Sequence, residues 1–157
     1  MLALSALTTA CPYHFTGGGL PSHVKTIAVI PFDNQTPVSD LQREMSDSIR
    51  SRLLNKLGVR QAAVERADAV VRGTIRRYQA DIPVGYSSNT QAATTARRML
   101  EIVLDIEVTD QITGKILWSR KGFVVDGQYE EQQEMQGRSH AMDVIVNTIV
   151  EGIQSQW

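Results

Sequence analysis

Residues 100–109, Leu-Glu-Ile-Val-Leu-Asp-Ile-Glu-Val-Thr, decide the fold. Leu100, Ile102, Leu104, Ile106 and Val108 alternate with Glu101, Val103, Asp105, Glu107 and Thr109. Successive side chains of a strand point to opposite faces, so this order predicts a strand with one buried face and one wet face. The six residues that follow, Asp110 to Lys115 (DQITGK), carry turn chemistry. They predict a hairpin to an antiparallel strand over Ile116 to Val125 (ILWSRKGFVV). Cross-strand pairing would then set Lys121 or Arg120 against Asp105 or Glu107. Such exposed pairs tune register more than stability, at about 0.2–1 kcal/mol each.

Upstream, Pro83 to Thr95 is rich in Gly, Ser, Thr, Asn and Ala and reads as a loop. Before it, Ala69 to Gln79 (AVVRGTIRRYQ) reads as another strand. Ala69, Val71, Gly73 and Ile75 would take one face, and Val70, Arg72, Thr74, Arg76 and Tyr78 the other. Further back, Val24 to Phe32 (VKTIAVIPF) predicts a first strand, closed by Pro31 and the turn-forming Asp33-Asn34. Leu41, Met45, Ile49, Leu53 and Leu57 recur every four residues and mark the apolar stripe of a helix. Ser39 or Asp40 would cap it, and Gly58 would end it in the left-handed conformation. At the other end Met142, Ile145, Val146, Ile149 and Ile153 predict a second helix, capped at Ser139. The expected architecture is a two-layer α+β sandwich of order β-α-β-β-β-α: a four-stranded, mostly antiparallel sheet with two helices on one face.

Composition sets bounds on function. The 157 residues suit one domain, with 42% hydrophobic and 21% charged residues near globular averages. A net charge of −1 gives no global field to draw nucleic acid. Charge is nevertheless segregated along the chain. Ala69 to Leu100 holds five arginines and a single acid, Asp81, whereas Asp126, Glu130, Glu131 and Glu134 make the next stretch acidic.

No catalytic constellation emerges. His14, His23 and His140 lack metal-ligand spacing and read as solvated surface residues; no second cysteine exists to join them. Glu130, Glu131 and Glu134 read as complements to a helix dipole. Gly17-Gly18-Gly19 precedes the first strand and so is not a phosphate loop. Trp118 and Trp157 read as a core residue and a terminal side chain. The chain is accordingly expected to work by binding rather than catalysis, with neither cofactor nor metal.

Cys11 has two readings, a small buried hydrophobe or a modified residue. Met1 to Ala10 is apolar, about half of the length needed to cross a bilayer, and Thr8-Thr9-Ala10 puts small residues before the cysteine. That order resembles a bacterial lipobox, in which the cysteine becomes the lipid-bearing first residue. It implies a signal peptide over residues 1–10 and a lipidated, flexible tether over 11–23, ahead of one domain over 24–157.

After the cysteine come Pro12-Tyr13-His14-Phe15, the glycines, Leu20-Pro21, and the strand Lys25-Thr26-Ile27-Ala28-Val29 leading to Pro31-Phe32-Asp33-Asn34. Ala67 to Ile75 and Gly114-Lys115-Ile116-Leu117-Trp118 follow in the same order. Together these resemble the LptE family of lipopolysaccharide-assembly lipoproteins. The resemblance implies an outer-membrane lipoprotein, lipid-anchored on the periplasmic side, that plugs an LptD-like β-barrel and assists lipopolysaccharide transport. Arg76, Arg77, Arg97 and Arg98 would flank one loop and are the candidate lipopolysaccharide-binding residues, because guanidinium groups suit lipid A phosphates; ordinary solvated charges are the other reading. The strand Ile27 to Phe32 also resembles lipoproteins of the curli-export type, which would make the chain a secretion-pore or envelope-scaffold protein.

Overall fold

A computed structural model describes residues 20–85, 97–130 and 132–155. Its elements are β1 (Thr26–Val29), β2 (Asp33–Asn34), α1 (Leu41–Leu57), β3 (Arg60–Gln61), a 3₁₀ turn (Val64–Arg66), β4 (Ala69–Gly85), β5 (Arg97–Asp110), β6 (Ile116–Glu130) and α2 (Glu134–Gln154). The strands form one mixed sheet of order β3-β1-β4-β5-β6, with β2 also paired to β4. Because α1 carries the chain back between β1 and β4, those two run parallel, while β4, β5 and β6 form an antiparallel meander. The α+β class expected from the sequence is observed. The sheet has six strands instead of four, the additions being the two-residue pieces β2 and β3.

Both helices cover one face, α1 over β1 and β2, and α2 over β5 and β6. Leu41, Met45, Ile49 and Leu53 of α1 and Met142, Ile145, Val146, Ile149 and Ile153 of α2 are buried against the even-numbered side chains of β5 from Leu100 to Val108. Burying each such side chain stabilises the fold by roughly 1.5–3 kcal/mol. Gly58 terminates α1 with φ of 64° and its N–H bonded to the Leu54 carbonyl. Asp40 stands at the other end without a side-chain cap bond. On the opposite face a small cluster of Ala28, Ala67 and Val70 is roofed by the segment around the 3₁₀ turn. The rest of that face is mostly polar, with Val103 and Val124 paired across β5 and β6 among the charged side chains.

Four local readings change. Asp33-Asn34 is a short strand beside β4 rather than a free turn, although Asn34 Oδ1 still accepts the Thr36 N–H at 3.0 Å, as a turn asparagine does. Strand β4 continues through Pro83 to Gly85, where the sequence predicted a loop. Proline is tolerated there because, among the described residues, β4 has only β5 beside it beyond Ile75 and so runs as an edge. A register shift between Ile75 and Arg77 turns Arg76 and Arg77 both to the polar face and puts Tyr78 on the helix side, opposite to its expected face. Finally, α2 starts at Glu134 and Ser139 is inside it, where Ser139 Oγ and its carbonyl accept bonds from Arg52 at 2.8 and 2.9 Å.

Candidate functional site: the polar face of the sheet

Strand β4 delivers Arg72, Thr74, Arg76 and Arg77 to the helix-free face, and β5 delivers Glu101, Asp105 and Glu107 beside them. Arg76 reaches one oxygen of Asp105 through Nε at 2.9 Å and Nη2 at 2.6 Å, and donates from Nη1 to Gln35 at 3.0 Å. Arg77 grips Glu101 the same way, at 3.1 and 2.6 Å. The second oxygen of Asp105 accepts the Gly122 N–H at 2.7 Å, and that bond, with those from Arg76, holds its carboxyl below the ordinary carboxylate range. Asp105 is thus paired with Arg76 on β4, whereas Arg120 of β6 lies over the Phe123 ring at 4.5 Å. Of the two cations expected opposite the β5 acids, Arg120 faces Ile106 in the ladder, whereas Lys121 lies close enough to Asp105 to help lower its carboxyl.

The pairing leaves donors over. A guanidinium has five N–H groups. The bonds above use three on Arg76 and two on Arg77, so both arginines, about half exposed, can add a phosphate oxygen without releasing their carboxylates. Alongside lies a groove of about 380 Å³, its floor of Ile30, Pro31 and Gly73 and its rim of Arg72, Glu107 and Lys121.

Arg97 and Arg98 lie elsewhere. They open β5, facing Gly85 and Pro83 on one side and Glu130 and Tyr129 on the other. Arg77 pairs with Val103, six residues along β5 from Arg97, a separation of about 20 Å at strand rise. Arg97 and Arg98 border residues 86–96, whereas Arg76 and Arg77 are mid-strand, so the four do not gather around one loop. Arg98 Nη1 is 3.8 Å from Asp81, whose backbone adopts φ of 65° at a second irregularity in β4. Cys11, the signal segment, His14 and Trp157 lie outside the described residues.

Two polar centres were not legible as such. His23 donates from Nε2 to the carboxylate of Asp110 at 2.7 Å instead of standing free in solvent. Asp110 is 1% exposed and also accepts bonds from the Ile112 and Thr113 N–H groups and the Thr113 hydroxyl. Burial alone would raise this carboxyl; the bonds from Thr113, His23 and Ile112 outweigh it and bring it down to about 2. Between the layers, Arg138 of α2 donates to Glu44 of α1 at 2.6 Å, to Glu134 at 2.7 Å and to the Tyr78 hydroxyl at 2.9 Å, and the Tyr78 hydroxyl bonds Glu134 in turn. Glu134, read from sequence as a dipole complement, does stand in the first turn of α2, and it also closes this network. Trp118 is a core residue as expected. No helix among the described residues is long and apolar enough to cross a membrane, and no group of three or more metal-ligating side chains occurs among them.

No curated protein matches the chain significantly. Solved structures resemble it in fold. The hypothetical protein CT253 from Chlamydia trachomatis aligns with a TM-score of 0.54 at 11% identity, over 82% of this chain and 96% of its own. A PelC dodecamer from Paraburkholderia phytofirmans aligns at 0.54 and 16%, over 88% and 93%. Protein XCC0632 from Xanthomonas campestris aligns at 0.52 and 15%, over 88% and 91%. At such identities the likeness speaks for the fold alone. The family model described as LptE, lipopolysaccharide-assembly, matches residues 24–156, from the entry into β1 to beyond the end of α2. The chain belongs to the LptE lipopolysaccharide-assembly family.

Proposed function

We propose that this chain is an outer-membrane lipoprotein that assists lipopolysaccharide assembly. On this reading residues 1–10 are a signal peptide, Cys11 carries the lipid on the periplasmic side, and residues 11–23 tether the domain formed by 24–157. The domain plugs an LptD-like β-barrel and binds by surface complementarity, without catalysis. The match to the family model over 24–156 carries the proposal. The geometry agrees with it: a sheet stiffened on one side by two helices presents charged side chains on the other, as the water-lined interior of a large barrel requires. Co-purification of a large barrel with the native protein, and loss of surface lipopolysaccharide on its depletion, are the expected results. Native protein isolated without a barrel would count against the plug.

Arg76 and Arg77 are the proposed contacts to lipopolysaccharide phosphates, with Arg97 and Arg98 as a separate, second pair. Glutamine at both 76 and 77 is the cleaner test than acid, since Asp105 and Glu101 stand 2.6 Å from the two guanidinium groups. Losing two exposed ion pairs costs the fold about 1 kcal/mol or less apiece. Losing charged hydrogen bonds to phosphate should weaken lipopolysaccharide binding by about tenfold or more. Equal affinity for Arg76→Gln/Arg77→Gln and wild type at matched ionic strength would leave these arginines as solvated charges.

A second reading is a ring-forming envelope or secretion-pore lipoprotein, favoured by the fold likeness to a protein crystallised as a dodecamer. Light scattering separates the two, because a monomer excludes the ring.

A further inference from the structure

One end of the molecule gathers features that the polar face does not use. The described chain enters there at Leu20, and His23 fastens the entry to Asp110 at the base of the β5–β6 turn. The tip of that turn exposes two large apolar side chains, Ile112 at 61% and Ile116 at 53%. Gln111 holds the tip in place, donating from its side chain to the carbonyls of Val64 and Ala67 at 2.7 and 2.8 Å and from its backbone N–H to Asp68. A fixed turn that keeps two isoleucines in water contributes nothing to the core. The same end of the molecule carries exposed cations: Lys25 before β1, Lys56 in the last turn of α1, Arg60 in β3, Arg66 in the 3₁₀ turn and Lys115 in the turn itself. Exposed acids are fewer, namely Glu65 and Glu151, since Asp68 is engaged by the Lys25 and Thr26 N–H groups at 2.8 Å.

We propose that this end rests on the phospholipid surface to which the tether leads, with Ile112 and Ile116 entering the interface and the surrounding lysines and arginines meeting lipid phosphates. The inference rests on the reading of Cys11 as the lipid-bearing residue. His23 follows Cys11 by twelve positions, a reach of about 40 Å at most. The opposite end, where α2 begins, lies a further 30 Å or so away along a 21-residue helix. Of the described surface, the chain entry at Leu20 to His23 and the β5–β6 turn fastened to it through Asp110 are thus the parts closest along the chain to the anchor. Apolar side chains flanked by cations are the composition that interfacial elements use on phosphate-bearing membranes.

The test uses the full-length lipoprotein, purified from membranes and reconstituted in phosphatidylethanolamine–phosphatidylglycerol vesicles. An environment-sensitive fluorophore is attached at Ile112→Cys, or at Met135→Cys in the first turn of α2, a site 80% exposed in the native chain. The mass of the protein reports acylation of Cys11 independently, and an acylated Cys11 takes no label. The probe at 112 is expected to shift to shorter wavelength and to be quenched by brominated lipid at a depth of about 5–10 Å, while the probe at 135 stays in water. If both probes remain in water although the acylated protein floats with the vesicles, the turn does not touch lipid and the anchor stands. Burial of the 112 probe only on adding a barrel partner assigns the isoleucines to protein and overturns the lipid contact. A chain with no acyl mass that fails to float removes anchor and contact together.

Discussion

Replacing Gly127 by alanine is expected to lower the unfolding free energy by about 3 kcal/mol, among the largest effects of any single methyl in this chain. Gly127 lies in β6 where α2 crosses closest, and a methyl group there would fall on the carbonyl of Gly137 in the helix. Backbone cannot rotate aside as a side chain can, so α2 has to lift away from the sheet and loosen Leu100 beneath it. The reciprocal change, Gly137→Ala, meets the Tyr129 ring at 2.7 Å and the Gly127 carbonyl at 3.1 Å. Its cost is partly offset, because alanine stabilises a helix by about 1 kcal/mol over glycine. Gly127→Ala should therefore be the worse of the two. The double variant should cost less than the sum, since a helix lifted once makes room for both methyl groups. Urea titration at neutral pH measures all three. Additive effects, or a Gly127→Ala loss below about 1 kcal/mol, would show that the helix does not seat on this glycine pair.

The second large effect belongs to Asp110. Alanine there removes the acceptor for Ile112, Thr113 and His23 in a site closed to solvent, and the expected loss is about 2–4 kcal/mol, as bonds to charged groups contribute roughly 1.5–3 kcal/mol each and do not add fully. The same carboxylate gives the fold a pH dependence of known sign. Its ordinary value is 3.8 and its folded value about 2, so the unfolded chain binds the proton more readily. Its contribution is complete above about pH 4 and disappears as pH falls through 2, on the order of 2 kcal/mol in all. Asp110→Asn, which keeps the shape and drops the charge, should lose that acid limb while retaining part of the turn. Denaturation curves for the two proteins at pH 6, 4 and 2.5 settle the matter, and identical acid limbs would mean that other carboxylates dominate.

How much of this was legible in the sequence depended on whether the signal was local. The alternation from Leu100 to Thr109 reports burial residue by residue, because β5 is central and each of its faces has one environment. The spacing from Leu41 to Leu57 and the terminating Gly58 were legible for the same reason. Tyr78 was misplaced because the irregularity at Arg76 is set by pairing with β5, a strand some 25 residues away, and no residue type announces it. The first turn of α2 was missed because close seating on Gly127 calls for a glycine at 137, not an apolar side chain, so the stripe of large apolar residues begins only later. For the candidate site the arginines themselves could be named, but their carboxylate partners lie across the sheet, and only the fold shows that Arg76 and Arg77 stand apart from Arg97 and Arg98. His23 gave no signal at all, its partner being 87 residues away.

The short strand β1 has a mechanical consequence. It holds four residues between β3 and β4, and its N-terminal end is where any pull on a membrane tether would enter the body. Force applied there would load the few ladder bonds of β1 before those of any longer strand. The carboxylate of Asp68, gripping the backbone of Lys25 and Thr26 and the Thr26 hydroxyl, together with the His23–Asp110 contact, sits at that point of attack. A load entering there would meet these few bonds before the ladder of β1, and through Asp68 and Asp110 it would pass straight to the start of β4 and the end of β5, so the first turn of chain and the antiparallel meander would bear it together.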